Sequence, residues 1–210
     1  DYSTKIDSRL AKANFATDIE TILDQMQLYD GPKEKRIIKN VAAMMFSEHP
    51  EKFFPTTQVD IVVFPKGREV DPENFIEVPP IKGPVPMMIR NSLEYLRTNI
   101  IKERITKPTD DERSLKVFNY PFQALEEAVV NALYHRDYKE REPVEITIEP
   151  DRISILSYSG PDRSISLESL KEANMLRSRR YRNRRLGDFL KELDLTEGRA
   201  TGIPTIQKKL

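Results

Sequence analysis

Residues 126–138 read EEAVVNALYHRDY, and this stretch carries the clearest structural pattern of the chain. At 100° per residue, as in an α-helix, five apolar side chains fall within about 80° of Leu125. They are Leu125 itself, Ala128, Val129, Ala132 and Leu133. Pro121 stands just before them, where a proline suits the first turn of a helix. The pattern predicts a helix from Pro121 to about His135 with one buried stripe.

A polar row lies on the side of this helix away from the stripe. Glu127, Asn131 and His135 follow one another at a spacing of four residues, so they share one face. A carboxylate one turn before a carboxamide offers a base for a water molecule and an oxygen ligand for a hard cation such as Mg²⁺. The same spacing also fits an ordinary solvated polar face. The spacing alone leaves both interpretations open.

The pattern downstream of the helix is typical of an α/β protein. Two strands are predicted at Val144 to Glu149 and Arg152 to Tyr158, with helices near Leu167 to Asn174 and from about Leu186 to Leu193. Gly198 and Gly202 bracket a final turn. Helix, strand, strand and two helices indicate half of an α/β sandwich, in which helices cover one face of a sheet.

Upstream, the signals are less regular. A helix is predicted around Ile19 to Met26, a buried apolar segment at Ile37 to Phe46, a strand at Gln58 to Phe64 and a helix at Met87 to Ile101. Six prolines between residues 65 and 86 predict a long loop or hinge. A polar run at 107–116 predicts a boundary. We therefore expect a mixed α/β segment at residues 1–115 and an α/β sandwich at 116–210, unless both share one sheet.

The composition excludes several classes of site. The 210 residues contain 34 basic and 34 acidic residues, so any contact with nucleic acid must come from a local patch. Cysteine is absent, which excludes disulfides and thiolate metal sites. No apolar run is long enough to cross a membrane and no signal peptide is visible, which together predict a cytoplasmic protein without a membrane partner.

A basic run offers a local patch of this kind. Residues 177–185 read RSRRYRNRR, with arginine at 177, 179, 180, 182, 184 and 185. Guanidinium groups suit phosphates, and Tyr181 could stack on a base. The run could contact DNA or a bound nucleotide, or it could be a solvated junction whose charges neutralise neighbouring acids.

Several of these segments together resemble a bacterial and archaeal family of transcriptional regulators that is commonly labelled RecG-related. The helix motif Glu127-x-x-x-Asn131-Ala132 with His135, Arg136, Asp137 and Tyr138 is the most specific part. Further matching segments are VAAMMFSEHPEKFFP at 41–55, KGP at 82–84, DRISILSYSG at 151–160, Arg182-Asn183 and EGRATGI at 197–203. The C-terminal part of that family resembles the GHKL ATPase fold of gyrase, histidine kinases and MutL-type proteins.

The resemblance implies a site for ATP and Mg²⁺. In GHKL proteins the glutamate of the helix motif activates the attacking water and the asparagine holds Mg²⁺, roles that map to Glu127 and Asn131. The turn with Gly160 would contact adenine, although the aspartate usual at its start is replaced by Tyr158. A second glycine-rich turn would cradle the phosphates with Gly198, Thr201 and Gly202. The family pattern also implies a structural role for His135, Arg136 and Asp137.

The resemblance further implies a DNA-linked transcriptional regulator in which this segment senses nucleotide or forms dimers. DNA would be bound chiefly by a flanking domain, and a homo-oligomer is expected. The alternative is a non-catalytic oligomerisation scaffold with a degenerate nucleotide site, which Tyr158 favours. A third option is direct binding of DNA by the basic run. Helicase activity is not expected, because the sequence contains no G-x-x-x-x-G-K-[ST] phosphate loop.

Overall fold

A computed structural model describes residues 19–106, 115–161, 165, 166, 168, 181–196 and 202–209. The elements of the first half are α1 (Ile19–Gln25), β1 (Tyr29–Asp30), β2 (Ile37–Ile38), α2 (Asn40–Phe46), β3 (Val59–Val63), β4 (Ile76–Ile81), α3 (Val85–Asn99) and β5 (Glu103–Thr106). The second half contributes β6 (Leu115–Phe118), α4 (Phe122–Tyr134), β7 (Val144–Ile148), β8 (Ile153–Leu156), α5 (Arg184–Glu192) and α6 (Gly202–Lys209). The predicted α/β fold is confirmed.

The main sheet has the order β4-β3-β7-β8, in which β3 and β7 are parallel and the other pairs are antiparallel. Alternate residues of the two central strands are buried, as in a sheet with one covered face: Val59, Ile61, Val144, Ile146 and Ile148. They belong to one core with apolar side chains of the helices, among them Leu96, Leu133 and Leu190. Strands from before and after residue 115 belong to the same main sheet, and core residues come from both sides as well. This position therefore does not separate two sheets.

The prediction of a long loop at residues 65–86 is wrong. This range contains β4 and the start of α3. Pro79 and Pro80 are tolerated because β4 is an edge strand, where an N–H that points away from β3 has no ladder partner, and because the register with β3 shifts beside them. Pro84 and Pro86 belong to the N-terminus of α3, where proline is favoured.

Two other predictions need correction. In the apolar segment at 37–46, Val41, Ala42, Met44 and Met45 are buried, but Ile37 and Ile38 are 63% and 54% exposed in the small hairpin β1–β2. The polar run at 107–116 is flanked by a hairpin of β5 and β6 that the sequence analysis did not predict. The helix predicted near 167–174 lies almost entirely outside the described residues.

None of the helices in the described ranges has the length and apolar character needed to cross a bilayer.

Candidate functional site

Helix α4 carries the candidate site and is anchored through its apolar side. The stripe predicted from the sequence is confirmed at Leu125, Val129 and Leu133, which are buried, and Ala128 and Ala132 are half-buried. Pro121 precedes the helix, and His135 ends it by donating its N–H to the carbonyl of Asn131 at 2.9 Å. The polar row is therefore held at a defined angle to the core.

Glu127 and Asn131 meet on this helix. Asn131 Nδ2 donates a hydrogen bond to Glu127 Oε1 at 3.1 Å, and both side chains are half-buried. This bond uses the amide nitrogen of Asn131, so the Asn131 Oδ1 atom keeps its capacity as a ligand for a hard cation. The pair thus places a carboxylate and an amide oxygen, the two donors that the spacing suggested for a hard cation, side by side on one helix face.

Gly202, the first residue of α6, packs directly on this pair. A Cβ atom added to Gly202 would lie 2.3 Å from Glu127 Oε1 and 2.5 Å from Asn131 Nδ2, which is closer than real Cβ atoms come. A glycine is therefore what allows α6 to approach the carboxylate and the carboxamide. The close packing of α6 on α4 brings together groups that are 71 residues or more apart in sequence.

The N-terminus of α6 brings backbone N–H groups next to Glu127 and Asn131. The first N–H groups of a helix have no partner within it and carry a partial positive charge, so they favour carboxylates and phosphates. The N–H groups of Gly202 and Ile203 are of this kind, and Pro204 in the same turn has none to leave unpaired. Partial positive charge, a carboxylate and a carboxamide thus meet at one point.

The other predicted phosphate and adenine residues are placed as follows. Gly160 lies in an exposed turn after β8 with φ +66°, a backbone conformation that favours glycine. Ser157, in the same turn, donates its hydroxyl to the carbonyl of Ala132 at 2.8 Å, which ties the turn to α4 one residue beyond Asn131. Gly198 and Thr201 lie outside the described residues.

The described part of the basic run is held by contacts within the chain. Arg182 Nη1 donates to the carbonyl of His135 at 2.5 Å, and Arg185 Nη2 donates to the carbonyl of Met26 at 2.7 Å. Arg184 is exposed at the start of α5, and Arg177, Arg179 and Arg180 lie outside the described residues. Two of the six guanidinium groups therefore support the fold through backbone carbonyls.

Arg136 is the centre of a buried polar network that the sequence analysis did not resolve. Its side chain is 1% exposed, and it donates to the carbonyls of Thr56 at 3.2 Å, Glu140 at 3.2 Å and Glu142 at 2.7 Å. It also donates to Thr57 Oγ1 at 3.4 Å. Burial lowers the pKa of Arg136 below its usual range, but no titration near neutrality follows for so strong a base.

The neighbours of Arg136 in the motif are structural as well. Tyr138 is 5% exposed and donates its hydroxyl to the carbonyl of Leu133 at 2.8 Å. Asn183 Nδ2 donates to the carbonyls of Tyr134 and Arg136, both at 2.8 Å, and so caps the C-terminal end of α4. The HRDY motif joins α4, the start of β3 and the start of α5 in one network, and this fixes the helix that presents Glu127 and Asn131.

The ring of His135 is stacked on two tyrosine rings, with centroids 4.3 Å from Tyr134 and 5.9 Å from Tyr181. Burial, and then the charge of Arg182, lower the pKa of His135 below 6.5. The folded protein therefore holds the neutral imidazole at pH values where the unfolded chain already takes up a proton. The stability that His135 contributes is complete above pH about 6.5 and falls as the pH decreases towards the lower folded-state pKa.

We expect His135→Gln to reduce the loss of thermal stability between pH 7.5 and pH 5.5, because glutamine does not titrate. The measurement is the melting temperature at both pH values. His49→Gln is the matched control, since His49 lies in an exposed segment beside Glu51. An unchanged pH dependence in His135→Gln would show that the stacked histidine does not govern it.

Comparison with known proteins gives a partial match in sequence and a fuller one in fold. Residues 142–210, about a third of the chain, match the family model described as "Putative ATP-dependent DNA helicase recG C-terminal". The matched range contains Gly160, Gly202 and the basic run, and it begins after the helix with Glu127 and Asn131. No curated protein matches the chain.

One similar solved structure is that of the DIP2311 protein from Corynebacterium diphtheriae. It aligns with 96% of this chain at a TM-score of 0.65 and 21% sequence identity. This similarity shows a shared fold over both halves. The chain spans only 37% of the length of that protein.

Proposed function

We propose that this segment binds Mg-ATP, with the phosphates at the N-terminus of α6 and the cation at Asn131. The observation that carries the proposal is the position of the N-terminus of α6 next to the Glu127–Asn131 pair, whose Asn131 Oδ1 is not used in the bond between the two side chains. Three features suited to a metal-bound triphosphate meet there: helix N–H groups for phosphate, an amide oxygen for Mg²⁺ and a carboxylate beside them. The match of residues 142–210 to a RecG-related family model supports the same proposal.

Each residue then has a definite task. The N–H groups of Gly202 and Ile203 would bind phosphate oxygens, together with Gly198 and Thr201 of the preceding segment. Asn131 Oδ1 would be a ligand of Mg²⁺, which when bound neutralises phosphate charge. Glu127 would orient a water molecule and accept its proton, so that hydrolysis would depend on the same carboxylate. Gly160, which has no side chain, would leave space for adenine at the turn that the resemblance assigns to it.

The biological role we propose is that of a nucleotide-sensing module in a DNA-linked transcriptional regulator. DNA would be bound chiefly through a flanking domain, since Arg182 and Arg185 already have backbone partners within the chain. We do not propose strand unwinding, because the chain lacks the phosphate loop of such a motor.

The test is calorimetric titration with Mg-ATP of the wild type and of Asn131→Ala. We expect saturable binding by the wild type and at least tenfold weaker binding by Asn131→Ala, which corresponds to about 1.4 kcal/mol. Gln123→Ala, which alters an exposed position of the same helix, should bind like the wild type. Absence of heat with the wild type, or equal weak binding by all three proteins, would contradict the proposal.

A second candidate is a scaffold that holds subunits together without a ligand. It is favoured by Tyr158, which stands where GHKL proteins usually have aspartate and is 39% exposed. It predicts a stable oligomer by light scattering, at low micromolar concentration and unaffected by nucleotide. A monomer under those conditions would contradict it.

A further inference from the structure

The outer face of the main sheet, opposite the helices, carries an acidic groove. Residues between the buried positions of β3 and β7 must point to this face, and they include Asp60 on β3 and Glu145 on β7. These two residues are direct neighbours in the parallel register. Glu77 on β4 pairs with Val62, the next outward position of β3. Three carboxylates thus lie on three adjacent strands.

The loop between β3 and β4 forms a wall along this face. Phe64 and Phe75 approach with ring centroids 5.8 Å apart, and together with the sheet the loop encloses a groove of about 570 Å³. The wall is anchored, because the N–H of Arg68 donates to Glu149 Oε1 at 3.0 Å and Arg152 Nε donates to Glu149 Oε2 at 2.5 Å. A groove that is built before a ligand arrives lowers the entropic cost of binding.

The negative charge of the groove is only partly compensated. Arg68 is the one cationic residue in its lining, against three acids. Over the ranges that the structure describes, Glu77 and Glu145 have neither an ion pair nor a hydrogen bond, and Asp60 accepts one, from Gln58 Nε2 at 2.8 Å. No ion pair within the described part of the fold therefore explains why these three positions carry a negative charge.

We propose that this groove binds a basic, extended peptide segment of a partner protein. Asp60 and Glu145 lie on neighbouring strands, which are about 4.8 Å apart, so one guanidinium or ammonium group can interact with both. Side chains two positions apart on an extended peptide are about 6.8 Å apart and point the same way, so a second cation can reach Glu77. Val62, Pro72 and the two phenylalanine rings offer apolar contacts between the charges.

The sign of the charge selects this occupant over others. Phosphate-bearing ligands, nucleic acid included, would be repelled by three carboxylates. In the described ranges, no three acidic or histidine side chains are grouped so as to hold a metal ion. The groove lies on the other face of the sheet from Glu127 and Asn131, so the inference stands apart from ATP binding.

The test is fluorescence anisotropy with fluorescein-labelled acetyl-(Arg-Val)4-amide as the probe. We expect saturable binding in the micromolar range that weakens at least tenfold in the double variant Glu77→Gln/Glu145→Gln. The matched control is Glu20→Gln/Glu34→Gln, which removes two exposed charges elsewhere and should bind like the wild type. Circular dichroism checks that both double variants keep the fold.

Three results would overturn the proposal. They are the absence of saturable binding, equal affinity in the groove and control variants, and equal binding of the charge-inverted probe acetyl-(Glu-Val)4-amide. Sedimentation velocity of the protein alone tests whether a second copy of this chain occupies the groove. Self-association that disappears only in the groove variant would assign the groove to a second copy of this chain instead of a partner protein.

Discussion

Arg136→Met is expected to lower the free energy of unfolding by about 3–5 kcal/mol, because several acceptors inside the protein lose the same donor together. Methionine keeps much of the apolar volume of the arginine stem but has no donor. The carbonyls of Thr56, Glu140 and Glu142 then lose their partner in a part-buried environment. Each such loss costs about 1–3 kcal/mol, with incomplete additivity. Chemical denaturation followed by circular dichroism measures the effect.

Arg141→Met is the matched control for this prediction, because Arg141 is exposed five residues along the chain. It should change the stability by less than about 0.5 kcal/mol, as is usual for surface substitutions. Arg136→Lys should stay below the wild type, since an ammonium group in the place of Nη2 cannot also donate to Thr57 Oγ1, which accepts from Nη1. A stable Arg136→Met protein would mean that the network is replaceable by apolar packing.

Gly187→Ala is expected to destabilise the protein by about 2–3 kcal/mol, at the upper end of the cost of overpacking a core. The added Cβ would lie 2.1 Å from Tyr134 Oη and 2.3 Å from Tyr134 Cζ. The tyrosine ring cannot retreat easily, because it is 5% exposed and stacks on Tyr181 at 5.7 Å. This cost outweighs the gain of up to about 1 kcal/mol that alanine brings over glycine in a helix.

A double-mutant cycle shows whether this contact is the cause. In a Tyr134→Ala background the ring is absent, so Gly187→Ala should be neutral or stabilising there. The free energy of unfolding of the four proteins measures the coupling between the two positions. A loss of the same size in both backgrounds would place the cause elsewhere in α5.

The helix motif and the central strand could be predicted from the sequence because each pattern matches a single burial geometry. The stripe through Leu125, Val129 and Leu133 defines α4, and the β-branched run at 59–63 defines β3. The prolines at 79 and 80 led to a wrong loop prediction. Whether a proline is tolerated in a strand depends on whether that strand lies at the edge, and strand order is not a local property.

The hairpin of β5 and β6 was missed for a related reason. Each of its strands has only four residues and pairs with the other rather than with the main sheet, so the sequence signal for a strand is weak there. A two-stranded hairpin by itself is at best marginally stable in water, so its formation depends on the rest of the protein, which a local pattern does not encode.

By itself, the sequence determined that Glu127 and Asn131 share one helix face, because a spacing of four residues places two side chains together on any α-helix. It also determined the buried stripe beneath them. Tertiary structure alone places Gly202 on this pair, gathers the carbonyls around Arg136 from two segments, and brings Asp60, Glu77 and Glu145 to one groove. Each of these sets joins residues that are distant along the chain, and their meeting depends on strand order and helix packing, which local patterns do not encode.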